Sequence, residues 1–397
     1  MKLVSQTLFF CSMVVAVVTA VPVAVFFAQS LLALLPQPRT PPAARRGATA
    51  VLIPAHNEER VLARTLESIT PQLAVDDCVV VIADNCSDST ADIARAYGAL
   101  TLERHDAEKR GKGYAIDAGL RMLEATGFGG DSVMIVDADC AVTIGAIDLL
   151  AAQVTVSGRA AQACYVMDMP DHPTVRDQIS ALAVRIRNVA RARGMRRMGL
   201  PCQVTGSGIA MPYSVARQLS VATGNIVEDM QIGLDLATKG AGALFIADAL
   251  VTGKLANTAA ARSQRQRWEH GHLATIASKV PGLLAKSIRD RNPQTFALGI
   301  DLAVPPLTLL LVSVLLSAGL GLICGGVSHS WQPMGIALGS LFAMVIATVC
   351  GWWIAARSVI PLRALVAVPA YALWKLPMWV LSVVNPQSEW VRTSREK

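Results

Sequence analysis

The chain has 397 residues, 53% of them hydrophobic and only 16% charged, against about 25% charged in an ordinary soluble domain. With a mean hydropathy of +0.43, that balance excludes a disordered chain and a wholly soluble one, and the length excludes a small disulfide-stapled domain. Its 36 basic and 29 acidic side chains leave a net charge of +7, which in so apolar a chain favours a membrane surface over nucleic acid as the anionic partner.

Thr7 to Leu35 is one uncharged apolar run, with Pro22 as a candidate kink. It is long enough to cross a bilayer and too long for the apolar region of a signal peptide. Pro36 to Gly47 is rich in Pro and Arg and reads as a linker. From Ala48 the composition becomes mixed. Thr49–Ile53 reads as a strand followed by the polar turn Pro54 to Glu59, and Val61, Leu62, Leu66 and Ile69 give a helical spacing over Glu59–Ile69. Val79–Ala83 is a strand by length and β-branching, and Ser87 or Asp88 is the expected N-cap of a helix running to Tyr97 and stopped by Gly98. Leu100–Glu103 is a further strand, Lys112–Ala125 a helix, and Ser132–Val136 a strand ending in Asp137-Ala138-Asp139. This alternation predicts an α/β domain with a mainly parallel sheet and helices on both faces. In that class ligands bind at the carboxyl ends of the strands, where the polar clusters fall.

Ile179, Leu182, Ile186 and Val189 form a helical apolar stripe accompanied by Arg185, Arg187, Arg191, Arg193, Arg196 and Arg197. It reads either as a helix lying on an anionic leaflet or as a packed helix with a solvated basic face. Thr275–Asp290 is a second interfacial candidate that Pro281 and Gly282 are expected to break. Phe296–Val327 and Trp331–Ile354 are membrane spans by length, the first interrupted by Asp301, Pro305 and Pro306. Leu362–Val384 contains Arg363, Lys375 and Pro377 and is expected to lie at the interface or re-enter. Arg39, Arg45 and Arg46 after the first span place the large domain in the cytoplasm. Three crossings keep Arg357 and the tail residues Arg392, Arg395 and Lys397 there as well. The eight cysteines are scattered without a zinc-type pair, as in a reducing compartment.

Asp137 and Asp139 flank one small residue at a strand end and form half of a hard-cation site, or else a solvated turn. Asp84 ends another strand and, with Asp88 available to cap the next helix, is free for a ligand. Lys109 to Gly113 places cations and glycines before a helix, which suits a diphosphate or a solvated loop. Glu228 and Asp229 open a helix, where an acid satisfies the dipole or serves as a general base. Gln264, Arg267 and Trp268 share one helical face, a combination suited to a sugar and a diphosphate or to anchoring at headgroups.

Together these residues resemble the membrane-bound family 2 glycosyltransferases with a GT-A fold, the group of the cellulose, hyaluronan and exopolysaccharide synthases. The resemblance covers about Ala48 to Trp268 and the flanking spans. It implies that Pro54, Ala55, Asn57 and Glu58 lie near the nucleotide and that Asp84 contacts uracil, although Ala83 and Asn85 depart from the family's Asp-Asp-Gly-Ser turn. Lys112 matches the lysine of K-G-x-A-L-N-x-G-L, and Asp137 and Asp139 match the D-x-D metal motif, with Asp139 the usual ligand of Mg²⁺ or Mn²⁺. Gly206, Ser207 and Gly208 resemble the acceptor loop. Val227-Glu228-Asp229 matches T-E-D, making Asp229 the implied catalytic base, and QRQRW preserves Q-x-x-R-W through Gln264, Arg267 and Trp268.

The implied organisation is an N-terminal span (1–36), a linker (37–47), the catalytic domain (48–260) and a Q-x-x-R-W and interfacial segment (261–295). Two spans (296–356) and a last apolar segment with a basic tail (357–397) follow. The implied activity is inverting, metal-dependent transfer from a nucleotide sugar, a UDP-sugar by preference, to a polysaccharide or lipid-linked acceptor. It would take place at the cytoplasmic face of the plasma membrane, with polysaccharide-export partners. Single addition to a polyprenyl-diphosphate or glycolipid is the nearest alternative. A membrane nucleotidyltransferase and a silent export subunit rank below it.

Overall fold

The structure is a computed structural model that describes residues 2–40, 42, 46–222, 228–254 and 258–384, and for 258–270 and 377–384 the backbone alone. Helix α1 (Lys2–Leu32) runs unbroken through Pro22. There follow β1 (Thr49–Ala55), α2 (Leu62–Ile69), β2 (Cys78–Asp84), α3 (Thr90–Ala96), β3 (Leu100–Arg104), α4 (Lys112–Ala125), β4 (Ser132–Ile135) and the short β5 (Ala141–Val142). Next come α5 (Ala146–Ser157), β6 (Ala161–Asp168), α6 (Val175–Arg185), a π-helical stretch (Ile186–Arg191) and α7 (Ala192–Arg197). The rest comprises β7 (Ile209–Pro212), α8 (Tyr213–Ala216), α9 (Glu228–Thr238), β8 (Leu244–Lys254), α10 (Thr258–Arg289), α11 (Pro293–Leu302), α12 (Leu307–Ser328), α13 (Gln332–Ala355) and α14 (Val368–Val384).

Among the described residues the sheet has eight strands in the order β3-β2-β1-β4-β7-β6-β8-β5. Alternate residues of a strand face opposite sides, and β1 shows both sides buried. Ala50 and Leu52 pack with Val80, Ile82 and the α4 residues Ile116 and Leu123. Val51 and Ile53 pack with Leu62 and Leu66 of α2 and Ile147 and Leu150 of α5. Two-sided burial is what a continuous apolar strand requires. The expected mainly parallel sheet is found: β1, β2, β3 and β4 pair in parallel, and so do β6 and β8. The antiparallel joints are those of β7 with β4 and β6 and of β5 with β8. The β1–β4 half carries the strand ends followed by the polar turns.

Among the described residues three helices have the length and apolarity to cross a membrane: α1, α12 and α13. Val23 and Phe26 of α1 pack with Leu310 and Val314 of α12 and Met344 and Ala347 of α13, while outward residues such as Phe10, Leu316 and Phe342 stay exposed. The apolar run from Phe296 is indeed divided: α11 ends at Leu302 and α12 starts after Pro306. Leu362–Ala367 forms a 3₁₀ turn before α14.

Of the two readings of the stripe Ile179, Leu182, Ile186 and Val189, the packed helix holds and the leaflet helix fails, because all four side chains are buried inside the chain. Leu182 and Ile186 join the cluster of α1, α12 and α13, and Val189 joins the sheet core. Nor does Pro281 break its helix, for α10 runs through it. A proline removes one backbone bond, and here Val280, Leu283 and Leu284 are clamped against Met230 and Leu234 of α9 and Leu298 and Leu302 of α11. That packing holds the helix together across the proline.

Candidate active site

The site gathers at the carboxyl ends of β1, β2 and β4. β1 and β2 run in register from Ala50↔Cys78 to Ala55↔Ala83, with Pro54 opposite Ile82, so the turns that follow lie side by side. Their hydrogen bonds lace the turns together. Asn57, held at φ 54°, accepts the Ser87 N–H through Oδ1 at 2.7 Å. The Glu58 N–H donates to Thr90 Oγ1 at 2.8 Å. Asp88 Oδ1 accepts from the Thr90 N–H at 3.1 Å. The N-cap of α3 is Ser89, not Ser87 or Asp88, and its side chain makes no capping bond.

Asp84 is not free, contrary to expectation. It is 6% exposed and pairs with Arg104 Nη1 at 2.6 Å, while Asn85 Nδ2 donates to the same oxygen at 3.1 Å. Arg104 lies opposite it in the β2–β3 register and over the Tyr114 ring at 5.7 Å. The sequence reading missed Arg104, although opposite charges ending adjacent strands were the available signal.

Lys112 is the first residue of α4, after Gly111 at φ 124°. It turns inward rather than to solvent. Its Nζ lies 2.5 Å from Asp137 Oδ1 and 3.7 Å from Glu228 Oε1, and donates to the Gly206 carbonyl at 2.6 Å. Burial opposes its charge, but Asp137, Glu228 and Asp229 outweigh that and raise its affinity for the proton. Asp137 is held above the usual carboxylate range by burial, with Lys112 opposing and Asp139 adding to the shift.

Asp137, Asp139 and Cys140 bring their ligand atoms within 4.8 Å of one another. Cys140 was not singled out in the sequence. Burial first, then Asp137 and Asp139, push its thiol well above its ordinary value, so it stays a neutral, poor ligand. The usable donors are two carboxylates, a set that fits a hard cation completed by phosphate oxygens and water.

Gly206, Ser207 and Gly208 close the site. Ser207 Oγ accepts the Asp137 N–H at 3.0 Å. Gly206 has φ +73°, and a Cβ there would stand 3.6 Å from Asp229 Oδ2, 3.8 Å from Asp137 Oδ2 and 4.0 Å from Lys112 Nζ. Gly206 therefore sits at the centre of the charged groups. Gly208 also has φ +73°, and a Cβ there would meet Ala163 Cβ at 2.7 Å. Both backbone conformation and space demand glycine.

Glu228 and Asp229 form the first turn of α9. Asp229 Oδ1 accepts the Met230 N–H at 2.8 Å. Burial lifts the Glu228 carboxyl to about 7, with Lys112 opposing and Asp229 adding. Lys112, Gly206, Glu228 and Asp229 line one pocket with Ile116, Ile135, Val204, Ile209 and Ile232, so its polar groups stand on an apolar wall. Gln264, Arg267 and Trp268 lie on α10, but their side chains fall outside the described ones, as does Val227 altogether. Also unforeseen was His272 of α10. It is buried, its Nε2 lies 3.1 Å from the Leu302 carbonyl, and burial followed by Arg187 lowers it to about 3. It is a neutral structural donor.

Comparison with known proteins bears on the family and the fold. The profile described as "Glycosyltransferase like family 2" matches residues 46–271. No curated protein sequence matches the chain. Among solved structures, the mannosyltransferase PcManGT from Pyrobaculum calidifontis, in complex with GDP-Man and Mn²⁺, is similar at 17% identity and TM-score 0.57. That match covers 95% of this chain and 100% of that one. Glucosyl-3-phosphoglycerate synthase from Mycobacterium tuberculosis, in complex with Mn²⁺, UDP and glucosyl-3-phosphoglycerate, matches at 18% identity and TM-score 0.35, over 57% of this chain and 80% of that one.

Proposed function

The chain belongs to glycosyltransferase family 2, and on that basis we propose that it catalyses inverting, metal-dependent transfer of a sugar from a nucleotide donor to a membrane-associated acceptor. The observation that carries this is the convergence of Asp229, Glu228, Lys112 and Asp137 around the Gly206 backbone.

In this reading Asp229 takes the proton of an acceptor hydroxyl, which attacks the anomeric carbon from the face opposite the nucleotide. The C–O bond to the donor phosphate breaks and the pair of electrons leaves with the nucleoside diphosphate. Lys112 faces the charge that develops on that diphosphate. Asp139 and Asp137 would hold Mg²⁺ or Mn²⁺, which when bound supplies Lewis-acid neutralisation of the same charge. Pro54, Ala55, Asn57 and Glu58 form the nucleotide side. Asp84 acts there as a pair with Arg104. Gly206, Ser207, Gly208 and Glu228 form the acceptor side, with Gln264 and Trp268 holding the acceptor and Arg267 assisting Lys112 at the departing diphosphate.

UDP-sugars are the first donors to test. The PcManGT structure, which spans the whole length and contains GDP-Man, adds GDP-sugars to the panel. The basic residues after α1 favour a catalytic domain on the cytoplasmic side of the plasma membrane, where nucleotide sugars are made, with the apolar helices bringing the acceptor to it. The preserved Q-x-x-R-W favours exopolysaccharide or cell-surface glycan synthesis and, with it, export partners. A second reading, single addition to a polyprenyl-diphosphate or glycolipid, is favoured by one observation. The described residues contain three span-length helices, few for enclosing a polymer channel.

The test is nucleoside diphosphate release by the full chain in lipid nanodiscs, over UDP- and GDP-sugars, with and without Mn²⁺ or Mg²⁺. Metal-dependent release from one donor is expected, and Asp229→Asn should lower it by a factor on the order of 10²–10⁴, as for loss of a general base. Undiminished release by Asp229→Asn refutes the assignment of the base. Pyrophosphate in place of a nucleoside diphosphate identifies a nucleotidyltransferase, and donor binding without turnover a silent subunit.

A further inference from the structure

Polar residues in apolar segments are retained for a reason, since a polar group withdrawn from water must find partners. Gln29 in α1 and Asp301 in α11 are 2% and 3% exposed, and Arg191, in the π-helical stretch, is 4% exposed. The three side chains satisfy one another. Arg191 Nε donates to Gln29 Oε1 at 2.8 Å, and its Nη2 donates to Asp301 Oδ1 and to the Asp301 carbonyl, each at 2.6 Å. Gln29 Nε2 donates to Asp301 Oδ1 at 2.6 Å.

A fourth member reaches into the site. Gln203, 8% exposed, donates through Nε2 to Asp301 Oδ2 at 2.8 Å. Its Oε1 accepts from Arg187 Nε and Nη2 at 3.3 and 3.2 Å. Four residues further along the chain is Ser207, and the strap between them touches α9, Lys112 and Asp137. Val204 packs on α9, where a Cβ at Gly233 would stand 3.2 Å from Val204 Cγ2. The Thr205 N–H donates to Gln162 Oε1 at 3.2 Å. The Gly206 carbonyl holds Lys112, and Ser207 Oγ holds the Asp137 backbone.

We propose that Gln203 is a positioning residue, fastening the 203–207 strap to the buried Gln29–Arg191–Asp301 anchor, so that the placing of Lys112 and Asp137 depends on how α1 and α11 are seated. The inference rests on the glycosyltransferase reading for its activity assay and on the hydrogen-bond geometry alone for its structure. It assigns Gln203 no contact with substrate. Its effect passes through the carbonyl of Gly206 and the hydroxyl of Ser207. A displacement of about 1 Å at such a site is worth on the order of 10²-fold in rate.

The experiment uses the full chain in nanodiscs with the donor that wild type consumes. Gln203→Met keeps the side chain's length and removes both tethers. Gln203→Glu keeps an acceptor for Arg187 but sets a carboxylate against Asp301. Measured below the melting temperature of each variant, which Gln203→Glu lowers most, each should show kcat reduced roughly 10- to 100-fold with the donor KM within about threefold. Combining Gln203→Glu with Asp301→Asn restores an amide–carboxylate bond with the roles exchanged, and should recover kcat to within about fivefold of wild type. A role confined to packing would not give that recovery.

Amide hydrogen exchange supplies a readout independent of turnover. Exchange over residues 203–207 should rise in Gln203→Met and return in the double variant. Wild-type kcat in Gln203→Met, or no recovery in the double variant, overturns the proposal. If wild type consumes no donor, the transferase reading fails instead, and the exchange data alone decide whether the strap is tethered: unchanged exchange in Gln203→Met refutes it.

Discussion

Replacing Glu228 by glutamine tests the electrostatics of the site through stability, independently of any substrate. The buried surroundings lift this carboxyl from an ordinary 4.5 to about 7. The folded chain thus binds the proton more tightly than the unfolded chain does. The resulting contribution is complete below the unfolded value, declines as the pH rises from 4.5 towards 7, and is gone above it. At 1.36 kcal/mol per unit, the whole interval amounts to about 3 kcal/mol. The side chain is only 15% exposed, so little of this is screened by solvent. Glutamine has no proton to lose. The stability of Glu228→Gln minus that of wild type should therefore rise by about 3 kcal/mol between about pH 4.5 and about pH 7.5. Asp137 is also shifted upward and shares Lys112 with Glu228, so the pH-dependent difference belongs to the coupled group and not to Glu228 alone. The measurement is reversible unfolding of the ligand-free chain in nanodiscs, followed by near-ultraviolet circular dichroism at fixed ionic strength. A difference that stays flat across the interval would mean that Glu228 is ionised throughout and that Lys112 compensates its burial.

Two further substitutions probe the cation site and the seating of the apolar helices. Asp139→Asn should abolish the stabilisation that Mn²⁺ gives to wild type, about 2.7 kcal/mol at a hundredfold excess over Kd. A full Mn²⁺-induced rise in melting temperature in the variant refutes the ligand assignment. Gly194→Ala should destabilise the chain by about 1–3 kcal/mol, because its Cβ would lie 2.3 Å from the Gln29 carbonyl oxygen, a backbone atom that cannot swing aside. Gly326→Ala, where nothing lies within 4 Å, is the control and should change stability by less than about 0.5 kcal/mol. Equal melting temperatures for these two variants would contradict the close contact between α7 and α1.

The β1–β4 half of the sheet was legible because two-sided burial leaves a plain mark on sequence. β1, β2 and β4 are short apolar runs, and each is followed at once by polar residues. The chemistry sits in that polar punctuation, so Asp84, Asp137 and Asp139 stand out in the sequence itself. The other half had no such mark. β5 has two residues, and β8 contains Asp248 and departs from regular register with β6 between Ala163 and Cys164. Its strands make sense only once distant partners are known. Partners were the general blind spot. A carboxylate at a strand end reads as free until the neighbouring strand brings Arg104 against it, and Lys112 reads as a loop cation until Gly206 and Asp137 are folded around it.

The arginine-rich stretch shows why composition alone misplaces such residues. Cations beside an apolar stripe have one meaning in sequence, a basic face turned to solvent or to headgroups. In the fold the stripe is shared between the sheet core and α1, α12 and α13, and Arg191 is buried with it while Arg197 stays exposed. Arg191 meets an aspartate 110 positions further along the chain. Asp301 had counted against an uninterrupted span, and it does mark the division between α11 and α12. Burial of an unpaired carboxylate would be prohibitive, whereas a carboxylate accepting from Arg191, Gln29 and Gln203 is satisfied. The aspartate that breaks the apolar run is thus the group that fastens the apolar helices to the strap at the charged site.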